Sequence, residues 1–266
     1  MSALSDYLEN ELLDHILRNS AYARPATLYF ALFTGDPGES GATGEVSGGS
    51  YARAAVTNNA TNFPPCSATG TPVKTNGVAV QFPTASASWG TVTHWAIYDH
   101  ATNTTNMLAH GAVSSPNAIA SGKTPRFAPG VFSLSATNGA NGGMTAFAIR
   151  SLLDHVFGGP TYTPAATVYT GLGTALSGET LTEWADSSYA RSATAFDAAS
   201  GGVCLNTAAE TFSASVAVSA TLTHYGIWDD AGAGNLLFVG SLATSRVPAI
   251  ADSVTAAIGD INPTIQ

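Results

Sequence analysis

The sequence predicts a mainly β protein of two tandem β-sandwich, jelly-roll-like domains, each opened by one short amphipathic α-helix. Three observations lead there. Nearly the same seven residues stand twice, THWAIYD at 93–99 and THYGIWD at 223–229. The matches flanking them keep their order along both halves of the chain. Each half also breaks, after one helical pattern, into short β-prone runs separated by Gly-, Ser-, Thr- and Pro-containing loops.

The repeat can be followed from end to end. LLDHIL at 12–17 matches LLDHVF at 152–157, and PATLYFALFTG at 25–35 matches AATVYTGLGTA at 165–175. SYAR recurs at 50–53 and 188–191, and NMLAHGAV at 106–113 matches NLLFVGSL at 235–242. The offset drifts from 140 (Leu12 to Leu152) to 129 (Asn106 to Asn235), the pattern of a tandem duplication with small insertions in loops. The expected division is 1–134 for copy 1, a Ser/Gly/Asn-rich linker at 135–144 (SATNGANGGM), and 145–266 for copy 2. Cys66 and Cys204 share an offset of 138 and are expected at equivalent positions, too few for a disulfide framework or a four-thiolate metal site.

In copy 1, Leu8, Leu12, Leu13, Ile16 and Leu17 form the helical stripe, with Ser5 or Asp6 available as N-cap. In copy 2 the stripe is Ile149, Leu152, Leu153, Val156 and Phe157, with Thr145 as cap and Gly158 suited to a left-handed end. Strands follow at 27–34, 51–57, 77–83, 92–99, 107–113 and 131–136, with counterparts at 167–174 and 189–196. Alternation puts Val92, His94, Ala96 and Tyr98 on one face of the fourth run, and Thr93, Trp95 and Ile97 on the other.

Composition removes several function classes. Charged residues make up 10% of the 266, against roughly 25% in ordinary globular proteins, while 45% are hydrophobic. The net charge is −9 and lysine occurs only at 74 and 123, so no electrostatic footprint for nucleic acid exists. No apolar run approaches the roughly 20 residues of a membrane span. The acidic start MSALSDYLENELLDHIL lacks the basic region of a secretory signal.

Duplication tests the polar residues, because a charged residue kept in both copies has a reason shared by both. Asp14/Asp154, His15/His155, Arg53/Arg191, His94/His224 and Asp99/Asp229 survive. Arg53 and Arg191 suit bidentate pairing with Asp14/Asp154 or Asp99/Asp229. His94 and His224, mid-strand, suit a hydrogen-bonded structural role, since no second ligand shares their face at metal spacing. No nucleophile elbow, phosphate loop or zinc motif occurs, so no catalytic, cofactor or metal residue is expected. Where the copies differ, at the loops 35–50 and 175–188, Trp184 is a candidate for partner contact. Trp89, replaced by Ser219 in copy 2, is another.

EVSGGSYAR at 45–53 and WGTVTHWAIYD at 89–99, with the flanking residues of copy 1, resemble a family of small virion proteins of tailed bacteriophages. Members are labelled tail-fibre or tail proteins, and similar domains decorate heads. Copy 2 resembles it more weakly. The resemblance implies a non-enzymatic virion structural protein, made in the host cytoplasm and carried in the particle. The leading expectation is a decoration or cement protein on the outer capsid. The alternative is a tail or tail-fibre component, with or without recognition of host-surface carbohydrate. Expected partners are the major capsid protein or other virion proteins and further copies of the chain, a trimer being one candidate, with no nucleic acid, membrane or cofactor.

Overall fold

Strict alternation along a strand fills one face of a sheet with apolar side chains and leaves the other wet. Here both faces of the main sheet in each copy are covered. The computed structural model describes residues 2–41, 43–135, 143–213 and 220–265. Copy 1 runs β1 (Ser2–Leu4), α1 (Asp6–Arg18), β2 (Thr27–Phe33), β3 (Ala54–Thr57), β4 (Val73–Thr75) and β5 (Val80–Gln81). It continues with β6 (Gly90–Tyr98), β7 (Met107–Ile119), β8 (Arg126–Phe127) and β9 (Ser133–Ser135). Copy 2 runs α2 (Ala146–Val156), β10 (Val168–Ser177), β11 (Thr180–Glu183), β12 (Ser192–Thr194), β13 (Glu210–Phe212), β14 (Leu222–Trp228), β15 (Leu236–Arg246) and β16 (Val254–Ala256). The protein is mainly β and consists of two repeated domains.

The main sheet of copy 1 is antiparallel in the order β1-β7-β6-β2-β3. Copy 2 repeats it as β15-β14-β10-β12, with β11 added as a hairpin on β10. The second layer is narrow. Residues 73–81 fold onto 126–135 as the ribbons β4–β9 and β5–β8, and β13–β16 is the counterpart in copy 2. Phe132 joins the layers, with its ring centroid 4.6 Å from Phe30 and 5.3 Å from Trp95. One buried asparagine pins each ribbon. Asn76 donates to the Val78 and Ala128 carbonyls and accepts from Phe132 N–H; Asn206 donates to Ala208 and Ala257 and accepts from Ile261 N–H.

Ser5 caps α1 by accepting from Leu8 N–H, and Thr145 caps α2 by accepting from Ala148 N–H, both at 3.3 Å. Asn19 (φ 52°) and Gly158 (φ 73°) provide the left-handed ends. Copy 2 enters its sheet earlier than the linker reading placed it: Met144 bridges Phe238 as Leu4 pairs with Ala109. Residues 136–142 of that linker lie outside the described residues, as does Ser219.

Alternation along β6 fails at one point. Across from Thr93 the partner strand spends the four residues Val113–Pro116, a bulge between the pairs Val92/Asn117 and His94/Ala112. Val92 therefore turns into the core with Trp95 and Ile97, and the single-face grouping of Val92 with His94, Ala96 and Tyr98 is corrected.

The outer face of the copy 1 sheet carries Ala31, Phe33, Ala96, Tyr98 and Met107, all buried under the loop that follows β2. Copy 2 solves the same packing with other sizes. Trp228 takes the place of Tyr98, while Gly171 and Gly226 take those of Ala31 and Ala96. A Cβ on Gly226 would stand 2.7 Å from the Trp228 ring, so the larger indole requires the glycine. Gly226→Ala is expected to cost about 1–3 kcal/mol through overpacking. A urea titration should show Trp228→Tyr in the same chain recovering most of that loss, whereas simple addition of the two costs would contradict the compensation.

Candidate functional site

Three groups of retained polar residues emerge from the fold, and each is tied into the framework. The first lies on the outer sheet face. Arg53 donates from Nε and Nη2 to the two carboxylate oxygens of Glu45, at 2.9 and 2.8 Å, and from Nη1 to the His100 and Asn103 carbonyls. Its guanidinium lies 3.6 Å above the centre of the Tyr98 ring. Tyr51 donates to Glu45 (3.0 Å) while accepting from the Leu32 N–H of β2 (2.9 Å). Copy 2 repeats the cluster with Arg191, Glu183, Tyr189, the Leu172 N–H and the Trp228 ring. Burial, and then the nearby Glu45 charge, raise the Tyr51 pKa well above the ordinary phenol range, so the hydroxyl remains a donor.

This corrects the expected pairing of the arginines with Asp14/Asp154 or Asp99/Asp229. The partners are Glu45 and Glu183, and they were legible: both open the strings EVSGGSYAR and EWADSSYAR at one offset, 138. Asp99 and Asp229 instead close the hairpin that follows their strands, accepting from the side-chain amides of Asn106 and Asn235 at 2.8 Å. His94 and His224 each share a hydrogen bond between Nδ1 and the hydroxyl of the preceding threonine, Thr93 (2.9 Å) or Thr223 (2.7 Å).

The remaining group joins the copies. Asp14 accepts from the Ala199 N–H of copy 2, and Asp154 accepts from Lys74 Nζ and the Cys66 N–H of copy 1, at 2.8 Å each. His15 and His155 stack with ring centroids 4.5 Å apart. Each accepts at Nδ1 from a tyrosine N–H of its own copy, Tyr22 or Tyr162. Each presents Nε2 to the tyrosine carbonyl of the other copy, His15 to Tyr162 (3.3 Å) and His155 to Tyr22 (2.9 Å). Neighbouring residues Asp14 and His15 thus point to different partners. Burial, the larger cause, lowers the His155 pKa, as does His15 beside it.

Two further expectations change. Trp184 and Trp89 are 3% and 4% exposed, so neither is a surface contact for a partner or a sugar. Both pack on the tyrosine of the arginine cluster, Trp89 edge-on to Tyr51 at 5.2 Å and Trp184 on Tyr189 at 5.3 Å. The Trp89 indole N–H donates to the Gly49 carbonyl, where φ is 54° and a Cβ would press on the ring. Cys66 and Cys204 are not equivalent. Val73 and Val203 hold matching places in the ribbon, so Cys204 stands where copy 1 has Lys74.

Among the described residues no group of three or more His, Cys, Asp or Glu could hold a metal ion, and no helix is long and apolar enough to cross a membrane. The geometry defines a class: a tandemly duplicated, mainly β protein whose retained polar residues hold its own framework together. The chain belongs to the family described as podophage GP4 fiber I protein gp80, whose model matches residues 3–135 and again 143–264. That description places it among phage virion structural proteins. A comparison with curated proteins gives no match.

Arg53→Ala leaves Glu45 half-buried without its partner and is expected to cost about 2–4 kcal/mol. The loss is read from chemical denaturation, with Tyr51→Phe costing about 1 kcal/mol. Glu9, on α1 beside Gly202 of copy 2, has its pKa pushed up to about 7 by burial first, then by Glu39 and Asp6. A raised folded pKa means stability present below the ordinary carboxylate value and lost as pH rises through about 7. Melting temperature should therefore fall between pH 5 and pH 8, and Glu9→Gln should flatten that slope and raise the melting temperature at pH 8.

Proposed function

We propose that the protein is a non-enzymatic structural component of a phage tail-fibre apparatus. In this reading the two copies form one adaptor that holds other virion proteins. The observation that carries it is the match of the fibre-protein family to both copies, so neither half stands outside that reading. The geometry supports it. Arginines, aspartates and histidines retained in both copies spend their hydrogen bonds on the backbone and on glutamate, threonine and asparagine side chains of the same chain. Low charge suits a chain packed among neighbours, where every unpaired buried charge costs stability. Its partners are other virion proteins and copies of itself; nucleic acid and membrane are not among them.

Head decoration, the leading expectation from sequence, calls for a copy number close to that of the major capsid protein. Quantitative mass spectrometry of purified particles is expected to find this chain at a small fraction of that number. A near-equimolar ratio would move the protein to the head and overturn the fibre reading.

A further inference from the structure

The duplication places like residues on either side of a pseudo-two-fold axis that runs between His15 and His155. Around that axis the histidine bonds repeat, but their surroundings do not: Asn10 of α1 accepts from the Gly202 N–H of copy 2, whereas Arg150, its counterpart in α2, donates to the Ser67 and Gly70 carbonyls of copy 1. Gly158 of copy 2 lies against the Asn59 backbone of copy 1, where a Cβ would overlap the carbonyl oxygen. The residue at the same sequence offset of 140 is Arg18, the last of α1, which pairs with Asp14 of its own helix at 3.0 Å and lines a groove of about 350 Å³ with Ala195 and Phe196 of copy 2. Copy 1 also supplies the donors to the end of α2. Lys74 bonds Asp154 (2.8 Å), Asn58 donates to the Val156 carbonyl (2.8 Å) and Arg24 donates to the Gly159 carbonyl (2.6 Å). The corresponding residues of copy 2 are Cys204, Phe196 and Pro164, and none can replace those bonds.

We infer that the copy–copy interface is a heterospecific recognition surface, built so that copy 1 binds copy 2 and neither binds its own kind. Two copies 1 brought together in this geometry would drive Arg18 into the Asn59 backbone. Two copies 2 would bury Asp154 opposite Cys204, with no cation and with α2 carbonyls unbonded, which is costly for a carboxylate 15% exposed. Attraction in one pairing and obstruction in the others is how partner choice is made. The consequence is directional assembly: where chains associate by exchanging domains, copy 1 of one meets copy 2 of the next.

The test uses the full chain with a protease site substituted within 136–142, cleaved after folding and followed by native mass spectrometry and analytical ultracentrifugation. The expected product is a single one-to-one complex of unlike halves that survives dilution. Separation of the halves, or their redistribution into like pairs, would overturn the inference. Gly158→Arg, which writes the copy 1 residue into copy 2, is expected to weaken the pairing on the order of 100-fold. Lys74→Met reads the same interface through a different contact and should weaken it at least about tenfold, whereas Cys204→Ser should leave it unchanged. Circular dichroism of the released halves shows whether they remain folded. Pairing that survives Lys74→Met undiminished sinks the idea even if Gly158→Arg does not fold.

Discussion

Both helices are buried on two sides, and most of the structure follows from that. Of α1 only Asp6 and Arg18 are exposed, and of α2 only Phe147. The leucine stripe of each helix packs on the sheet of its own copy, as helical periodicity demands. The opposite side, with Asp14 and His15 or Asp154 and His155, would be wet in a free-standing domain and here lies against the other copy. A buried polar side chain needs a bonded partner, so the interface is made of hydrogen bonds to backbone, one lysine–aspartate pair and the stacked imidazoles.

The sheets obey a parallel constraint. With one face on the core and the other under a loop or hairpin, an arginine can lie flat on an aromatic ring and close a carboxylate beneath the cover. The glutamate–tyrosine–arginine cluster does this in both copies and ties the covering segment to the sheet. Differences between the copies then appear as exchanges of volume. Trp228 goes with two glycines where Tyr98 goes with two alanines, and Trp184 packs on Tyr189 as Trp89 packs on Tyr51. Loops that looked free to meet a partner are used in covering the sheet, which moves the search for external contacts away from their tryptophans.

Much of this was open to reading. Caps, stripes and strand runs were placed by local chemistry, and the duplication was visible as ordered matches. Three readings missed for physical reasons. Glu45 and Glu183 sit in the quoted strings, but which acid an arginine meets depends on strand pairing, which spacing along the chain does not give. Asn76 and Asn206, which pin the ribbons, carry no charge, and retention of charge between the copies does not mark them. The cysteines stand at offset 138, yet the ribbon asparagines stand at offset 130, so the chain between Asn59 and Val73 holds extra residues of copy 1. That shift is invisible until strands are paired.

The sequence by itself determined the duplication, the type and order of the elements and which side of each helix is apolar, because these are set by short-range spacing. Only the tertiary structure decided what covers the remaining sides. Asp14 and Asp154 are the same letter in the same motif and each accepts a backbone N–H of the other copy, yet Asp14 takes its cation from Arg18 of its own helix and Asp154 from Lys74 of copy 1. Which partner each receives depends on the surface that the other copy presents about the pseudo-two-fold axis, and periodicity along one chain segment carries no information about that.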